Sequence, residues 1–104
     1  MLETYNKLKK THPDAVVLFR DFNVYKIISH DAQACAHILN KPIKRDTDLK
    51  EPEGCPLRYV EFPTYELDTW LPVLIRNGHR VAICDLPFAP TKLAKRGSTE
   101  MSNQ

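Results

Sequence analysis

Apolar residues recur at helical spacing in the segment between Phe62 and Asp85. The recurring positions are Leu67, Trp70, Leu71, Leu74 and Ile75, a spacing that buries one face of a helix. Asn77-Gly78 follows, and glycine readily takes the left-handed conformation that ends helices. The apolar run Val81–Cys84 comes next and is typical of a buried strand. The segment therefore predicts a helix followed directly by a strand.

Pro72 lies inside this helical stripe, although proline has no N–H group for the helical hydrogen-bond ladder. Two interpretations remain open at this point. Either the helix begins near Thr69, which places Pro72 in its first turn, or the helix bends at Pro72.

The N-terminal part of the chain predicts a helix, two strands and a second helix. Residues 2–11 form an amphipathic pattern that ends at His12-Pro13, because the residue before proline avoids helical geometry. Residues 15–19 are continuously apolar, and 24–28 are a second strand candidate. So short a link as 21–23 cannot hold a crossover, so the two strands should form an antiparallel hairpin.

The second helix is predicted over residues 29–40. Ser29 is a candidate cap, and Asp31 lies in the first turn, where a carboxylate interacts favourably with the helix dipole. The residues that should line its buried face are Ala32, Cys35, Ala36 and Leu39.

The rest of the chain completes a mixed pattern. Residues 43–44 suggest a short strand, 46–56 an exposed acidic, proline-rich loop, and 57–62 another strand. The predicted order is α-β-β-α-β-β-α-β, an α+β fold with a mixed β-sheet flanked by helices. We expect one domain over residues 1–88 and a disordered tail over 89–104, which lacks periodicity.

Length, composition and net charge limit the classes of protein to which the chain can belong. The chain has 104 residues, a net charge of +2 and a pI near 8.5, too mild a charge to demand a nucleic-acid partner. No apolar run is long enough to span a membrane, and no export signal is visible. Three cysteines cannot all pair, and in a chain without an export signal this favours reduced thiols and a cytoplasmic location. We also expect a monomer.

Candidate catalytic and metal-binding chemistry is sparse in the sequence. There is no nucleophile motif and no glycine-rich phosphate loop, and the histidines and cysteines do not have the spacing of a zinc site. We expect Cys84 to be a small buried hydrophobe and Cys55 to be the more exposed thiol. An enzyme, a metal and a cofactor are therefore not expected.

Several short motifs occur in a defined order. They are Tyr5-x-x-Leu8-Lys9, His12-Pro13-Asp14, an apolar strand ending in Arg20, Tyr25, Asp31-Ala32, Lys44-Arg45, and Val81-Ala82-Ile83-Cys84 followed by Asp85. Together they resemble the N-terminal, mismatch-recognising domain of the MutS family of DNA mismatch-repair proteins, over roughly residues 2–86. The resemblance implies the same α+β architecture.

The resemblance also implies a functional hairpin. In the family, a phenylalanine wedges beside the mispair and a glutamate two residues later bonds the displaced base. These roles fall on Val24 and Lys26, with Tyr25 between them, and the usual Gly-Asp is replaced by Phe22-Asn23. Valine has no ring to stack on a base, and lysine reverses the charge. Phe22 would be a displaced wedge if the hairpin register shifted by two residues; otherwise Phe22 and Tyr25 pack on the domain.

Phosphate contacts are the remaining candidate. Lys41, Lys44 and Arg45 lie together where the family also has a Lys-Arg pair, and phosphate contacts need only such side chains. The alternative is a solvated face, because acidic residues follow directly. Two functions remain: a stand-alone module that binds double-stranded DNA weakly, and a protein-interaction or regulatory module that has lost DNA reading.

Overall fold

The computed structural model describes residues 1–85 and the strands at 91–95 and 98–100. Its elements are α1 (Leu2–Thr11), β1 (Ala15–Asp21), β2 (Val24–Ile28), α2 (Ser29–Leu39), β3 (Lys44–Lys50), β4 (Pro56–Pro63), a 3-10 turn (Thr64–Glu66), α3 (Leu67–Arg76), β5 (Arg80–Asp85), β6 (Thr91–Lys95) and β7 (Ser98–Glu100). No helix in this described part is long and apolar enough to cross a membrane.

The strands form one sheet in the order β3-β4-β2-β1-β5-β6-β7. β1 runs parallel to β5 and antiparallel to β2, and the other neighbours are antiparallel. This mixed sheet with its helices confirms the predicted α+β class. It also confirms the β1–β2 hairpin, in which Asp21 pairs with Val24 across a two-residue loop.

The central strands are buried on both faces because helices cover both. On one face, α2 and α3 pack on the sheet around a core that includes Leu18, Ile27 and Val60. On the other face, α1 inserts Tyr5 above Val17 and Phe19. Successive residues of a strand point to opposite faces, so each of these strands contributes to both cores.

Helix α3 ends as its sequence predicts. Gly78 has a φ of +90°, and the His79 N–H donates to the Leu74 carbonyl at 3.1 Å, which satisfies a terminal carbonyl of the helix. The helix begins at Leu67 rather than near Thr69, so Pro72 lies beyond the first turn. The preceding 3-10 turn leads the chain into the helix.

Three local predictions are wrong because long-range contacts override the local pattern. Residues 46–50 are not a loop, since β3 continues to Lys50 by pairing with β4. Glu51 is not exposed, being only 2% accessible. Ser29 makes no side-chain cap to α2; instead its Oγ donates to Glu51 Oε1 at 3.2 Å.

The segment predicted as a disordered tail also contains regular structure. β6 pairs with β5, and β7 pairs with β6. The backbone of β6 occupies the edge of β5, whose hydrogen-bonding groups would otherwise lack a partner strand on that side. The other residues of 89–104 lie outside the described part of the chain.

Candidate nucleic-acid interface

Phe22 stands at the tip of the β1–β2 hairpin and is 87% exposed. Its φ of +59° is a left-handed backbone conformation that bulky residues seldom adopt. Two hydrogen bonds hold the loop: Arg20 Nε donates to the Phe22 carbonyl at 3.3 Å, and the Thr64 N–H donates to the Asn23 carbonyl at 2.9 Å. The tip is therefore a braced projection between Asp21 and Val24, which pair across the two-residue loop.

Tyr25 does not belong to this surface. It lies on the sheet face that α2 and α3 cover, is 7% exposed, and packs against Phe62 with ring centroids 5.6 Å apart. Burial raises the pKa of its hydroxyl above the ordinary value. The sequence-predicted site residue Tyr25 is thus a core residue.

Lys26 lies on the opposite face and is partly buried. Its Nζ is 3.5 Å from Asp21 Oδ2 and 5.3 Å from the centre of the Tyr59 ring. Val24, two residues earlier on the same strand, is also only partly exposed and shares this face because strand side chains alternate. Lys26 is therefore paired with a carboxylate of its own hairpin.

Lys44 shares that face with Lys26. Its Nζ donates to Glu61 Oε2 at 3.0 Å, and this hydrogen bond raises the pKa of Lys44. Glu61 is the cross-strand partner of Lys26. The face thus carries alternating charges, from Asp21 through Lys26 and Glu61 to Lys44, across four strands.

Lys41 and Arg45 are separated from this row. Lys41 Nζ is 3.5 Å from Glu66 Oε1 and 5.8 Å from the centre of the Trp70 ring, on the side of α3. Arg45 pairs in register with Arg58 and is exposed, and strand alternation turns it away from the face of Lys44. Of the four predicted cations, Arg45 is the one without an ion-pair partner among the described residues.

A buried ion pair beside the site was missed by sequence reasoning. Arg58 Nε and Nη2 donate to the two Glu51 carboxylate oxygens, each at 2.8 Å, and the Arg58 N–H adds a bond of 2.9 Å. Hydrogen bonding from Arg58 lowers the pKa of Glu51 to about 2. No local signal separates Glu51 from its exposed acidic neighbours, because its partner is set by the β3–β4 register.

Glu51, Glu53 and Cys55 bring potential metal-ligand atoms within 4.8 Å of one another. Both Glu51 oxygens already accept hydrogen bonds from Arg58, so holding a cation there would require breaking the ion pair. Cys55 is exposed, whereas Cys84 is buried, as the sequence predicts.

Tyr65 is a second exposed aromatic at the hairpin end of the sheet. It is 82% exposed and directly follows Thr64, whose N–H binds the loop carbonyl of Asn23. No motif in the sequence marks Tyr65 as a candidate site residue. Only the β2–β4 pairing shows that it lies at the same end of the sheet as Phe22.

Comparison with known proteins shows which family the chain belongs to. Residues 1–101 match the family described as MutS domain I. The chain is 43% identical to the DNA mismatch repair protein MutS of Bacteroides fragilis, over 97% of this chain and 12% of that protein. The corresponding protein of Bacteroides thetaiotaomicron is 42% identical over the same shares, and that of Porphyromonas gingivalis is 40% identical over 97% of this chain and 11% of its own length. The chain therefore spans about 12% of the length of the first of these relatives. As the order of its motifs implied, the chain belongs to the MutS domain I family.

Proposed function

We propose that this chain is a non-catalytic DNA-binding module that contacts double-stranded DNA through the β1–β2 hairpin. The observation that carries the proposal is the exposed, braced tip at Phe22 in a chain of the MutS domain I family. The relatives are named as DNA mismatch repair proteins, and the hairpin is the part of the family that reads mispairs. Arg45 is exposed and is available to contact a phosphate group of the DNA backbone.

The mode of contact differs from Phe-x-Glu reading. Val24 has no ring, and Lys26 replaces a hydrogen-bond acceptor with a donor that Asp21 already neutralises. Lys41 and Lys44 are likewise paired with Glu66 and Glu61. Of the four predicted cations, Arg45 alone has no ion-pair partner among the described residues, so these four should add little DNA affinity and give a shallow salt dependence.

Fluorescence anisotropy with a labelled duplex tests the proposal. We expect weak binding at about 50 mM salt that is reduced at about 200 mM. The Arg45→Gln variant should bind less tightly and lower the logarithmic salt slope by about 1, whereas Arg76→Gln, an exposed arginine at the end of α3, should bind as the unaltered protein does. Absence of any binding at the lower salt concentration would refute the proposal.

A protein-interaction or regulatory module is the second candidate. Three of the four predicted cations, Lys26, Lys41 and Lys44, form ion pairs with neighbouring carboxylates. This favours the second candidate, because a surface of alternating charge complements another mixed-charge surface better than it complements a polyanion. Capture of one reproducible partner from nuclease-treated extract, lost in the Asp21→Lys variant, would support it. Recovery of the bait alone would count against it.

A further inference from the structure

Four charged side chains of alternating sign lie in a row on one face of the sheet. They belong to β1, β2, β4 and β3, which are neighbours in this order, and they are Asp21, Lys26, Glu61 and Lys44. Lys26 Nζ is 3.5 Å from Asp21 Oδ2, and Lys44 Nζ is 3.0 Å from Glu61 Oε2. Lys26 and Glu61 are direct cross-strand neighbours, so the two ion pairs adjoin. We call these four residues the charge row.

The charge row is accessible, although helix α1 packs on the same face of the sheet. α1 covers Ile28 and Leu57, whereas the four side chains of the row are between 22% and 49% exposed. Asp46 follows Lys44 on this face but lies outside the row, because its carboxylate accepts the Asp48 backbone N–H at 2.9 Å. A partner can therefore reach the row without displacing α1.

Apolar surface lies directly beside the charge row. Val24, Tyr59 and Pro63 are partly exposed on the same face, because strand side chains alternate between faces. Burying this surface against a partner adds a hydrophobic contribution to binding, which is needed because partly solvated ion pairs alone contribute little.

The order of the charges indicates which partner fits the row. Two acids and two lysines carry no net charge, so the row has no net attraction for a polyanion. From β1 to β3 the signs are negative, positive, negative, positive, and in the reverse direction they are positive, negative, positive, negative. A second copy placed face to face, with a twofold axis perpendicular to the row, presents the reversed order. Asp21 of each copy then faces Lys44 of the other, and Lys26 faces Glu61.

We propose that two copies of this chain associate through the charge row, each row opposing the other in reversed order. The twofold axis makes every contact occur twice, so each matched pair of charges contributes twice and each mismatched pair costs twice. The inference goes beyond the proposed function and does not depend on it. The hairpin tip follows Asp21 at one end of the row, so the reversal places the two tips at opposite ends of the dimer.

Sedimentation equilibrium without DNA, at chain concentrations from about 10 µM to about 1 mM, tests the inference because even a weak dimer is populated in this range. The unaltered chain should dimerise. Lys26→Glu or Glu61→Lys sets like charges opposite each other at two symmetry-related contacts, so each variant alone should dimerise at least about tenfold less tightly. In an equimolar mixture of the two variants every facing pair again has opposite signs, so dimerisation should return as a heterodimer.

The two reversals combined in one chain provide a second test. Lys26→Glu with Glu61→Lys keeps the net charge and the cross-strand pair, and reversed copies still oppose unlike charges, so this chain should dimerise as the unaltered one does. Circular dichroism checks that each variant is folded.

Arg76→Glu and Asp68→Lys are the matched controls, since both residues are exposed on α3, which packs on the opposite face of the sheet. Alone or mixed, they should dimerise as the unaltered chain does. A monomer at every concentration, as expected from the sequence, would overturn the inference and leave a different protein as the occupant of this face. Single variants of the row that dimerise as tightly as the unaltered chain, or a mixture no tighter than either variant, would also overturn it. DNA is absent throughout, so none of these results bears on the proposed function.

Discussion

Replacing Glu51 with glutamine removes one charge from the buried ion pair with Arg58 and keeps the shape of the side chain. The Glu51 side chain is fully buried and that of Arg58 is 17% exposed. The arginine would be left opposite a neutral group, at a place where little water can replace the carboxylate. The domain should therefore lose stability.

The pKa of Glu51 is about 2 in the folded chain, against an ordinary value of 4.5. Each pH unit between the folded and unfolded pKa corresponds to about 1.4 kcal/mol, so the ionised carboxylate stabilises the fold by up to about 3 kcal/mol. Glutamine retains part of the hydrogen bonding, so we expect a loss of about 2 kcal/mol at neutral pH. In a chain of this size that lowers Tm by roughly 10 °C.

The pH dependence of the stability difference distinguishes the loss of the Glu51 charge from a change in packing. A folded pKa below the unfolded one contributes stability that is fully present above the unfolded pKa and is lost as pH falls through the folded pKa. The difference between the two proteins in urea unfolding, followed by circular dichroism, should therefore shrink between about pH 6 and about pH 2. Glu53→Gln, an exposed acid of the same turn, is the control and should change little. A constant difference across that range, or none at pH 7, would refute this reasoning.

Two further predictions concern the hairpin. Phe22→Gly should raise the free energy of unfolding by about 1 kcal/mol, because glycine relieves the strain at positive φ and no packing is lost; urea unfolding that shows a destabilised variant would contradict this. Asp21→Asn with Glu61→Gln should free Lys26 and Lys44, so that DNA binding tightens and the logarithmic salt slope steepens by about 2. The charge-matched pair Glu53→Gln with Asp68→Asn should leave the slope unchanged, and equal slopes in both double variants would refute the role of the two acids.

Elements encoded by local pattern could be predicted from the sequence. The helical stripe of α3 and the left-handed Gly78 that ends it are both local signals, and both are confirmed. The β1–β2 hairpin is confirmed for the same reason, since two apolar runs joined by so short a link have one arrangement available.

Features decided by pairing across the sheet could not be predicted. β3 is largely charged, and its strand conformation comes from hydrogen bonds to β4. The burial of Glu51 and the diversion of Ser29 from its expected cap follow from the same register. In the candidate site, the order of the motifs was enough to single out Val24 and Lys26. The ion pair between Lys26 and Asp21 could not be predicted, because it depends on the three-dimensional structure of the hairpin.

The proposed function requires DNA to contact the protein at the tip of the β1–β2 hairpin. An NMR titration of the isotope-labelled chain with duplex DNA locates the contact directly, residue by residue. We predict the largest amide shifts at Phe22, Asn23 and Tyr65. Parallel pairing of β1 with β5 places the Gly78 turn at the opposite end of the sheet, and shifts concentrated there, or none with excess DNA at low salt, would contradict the account.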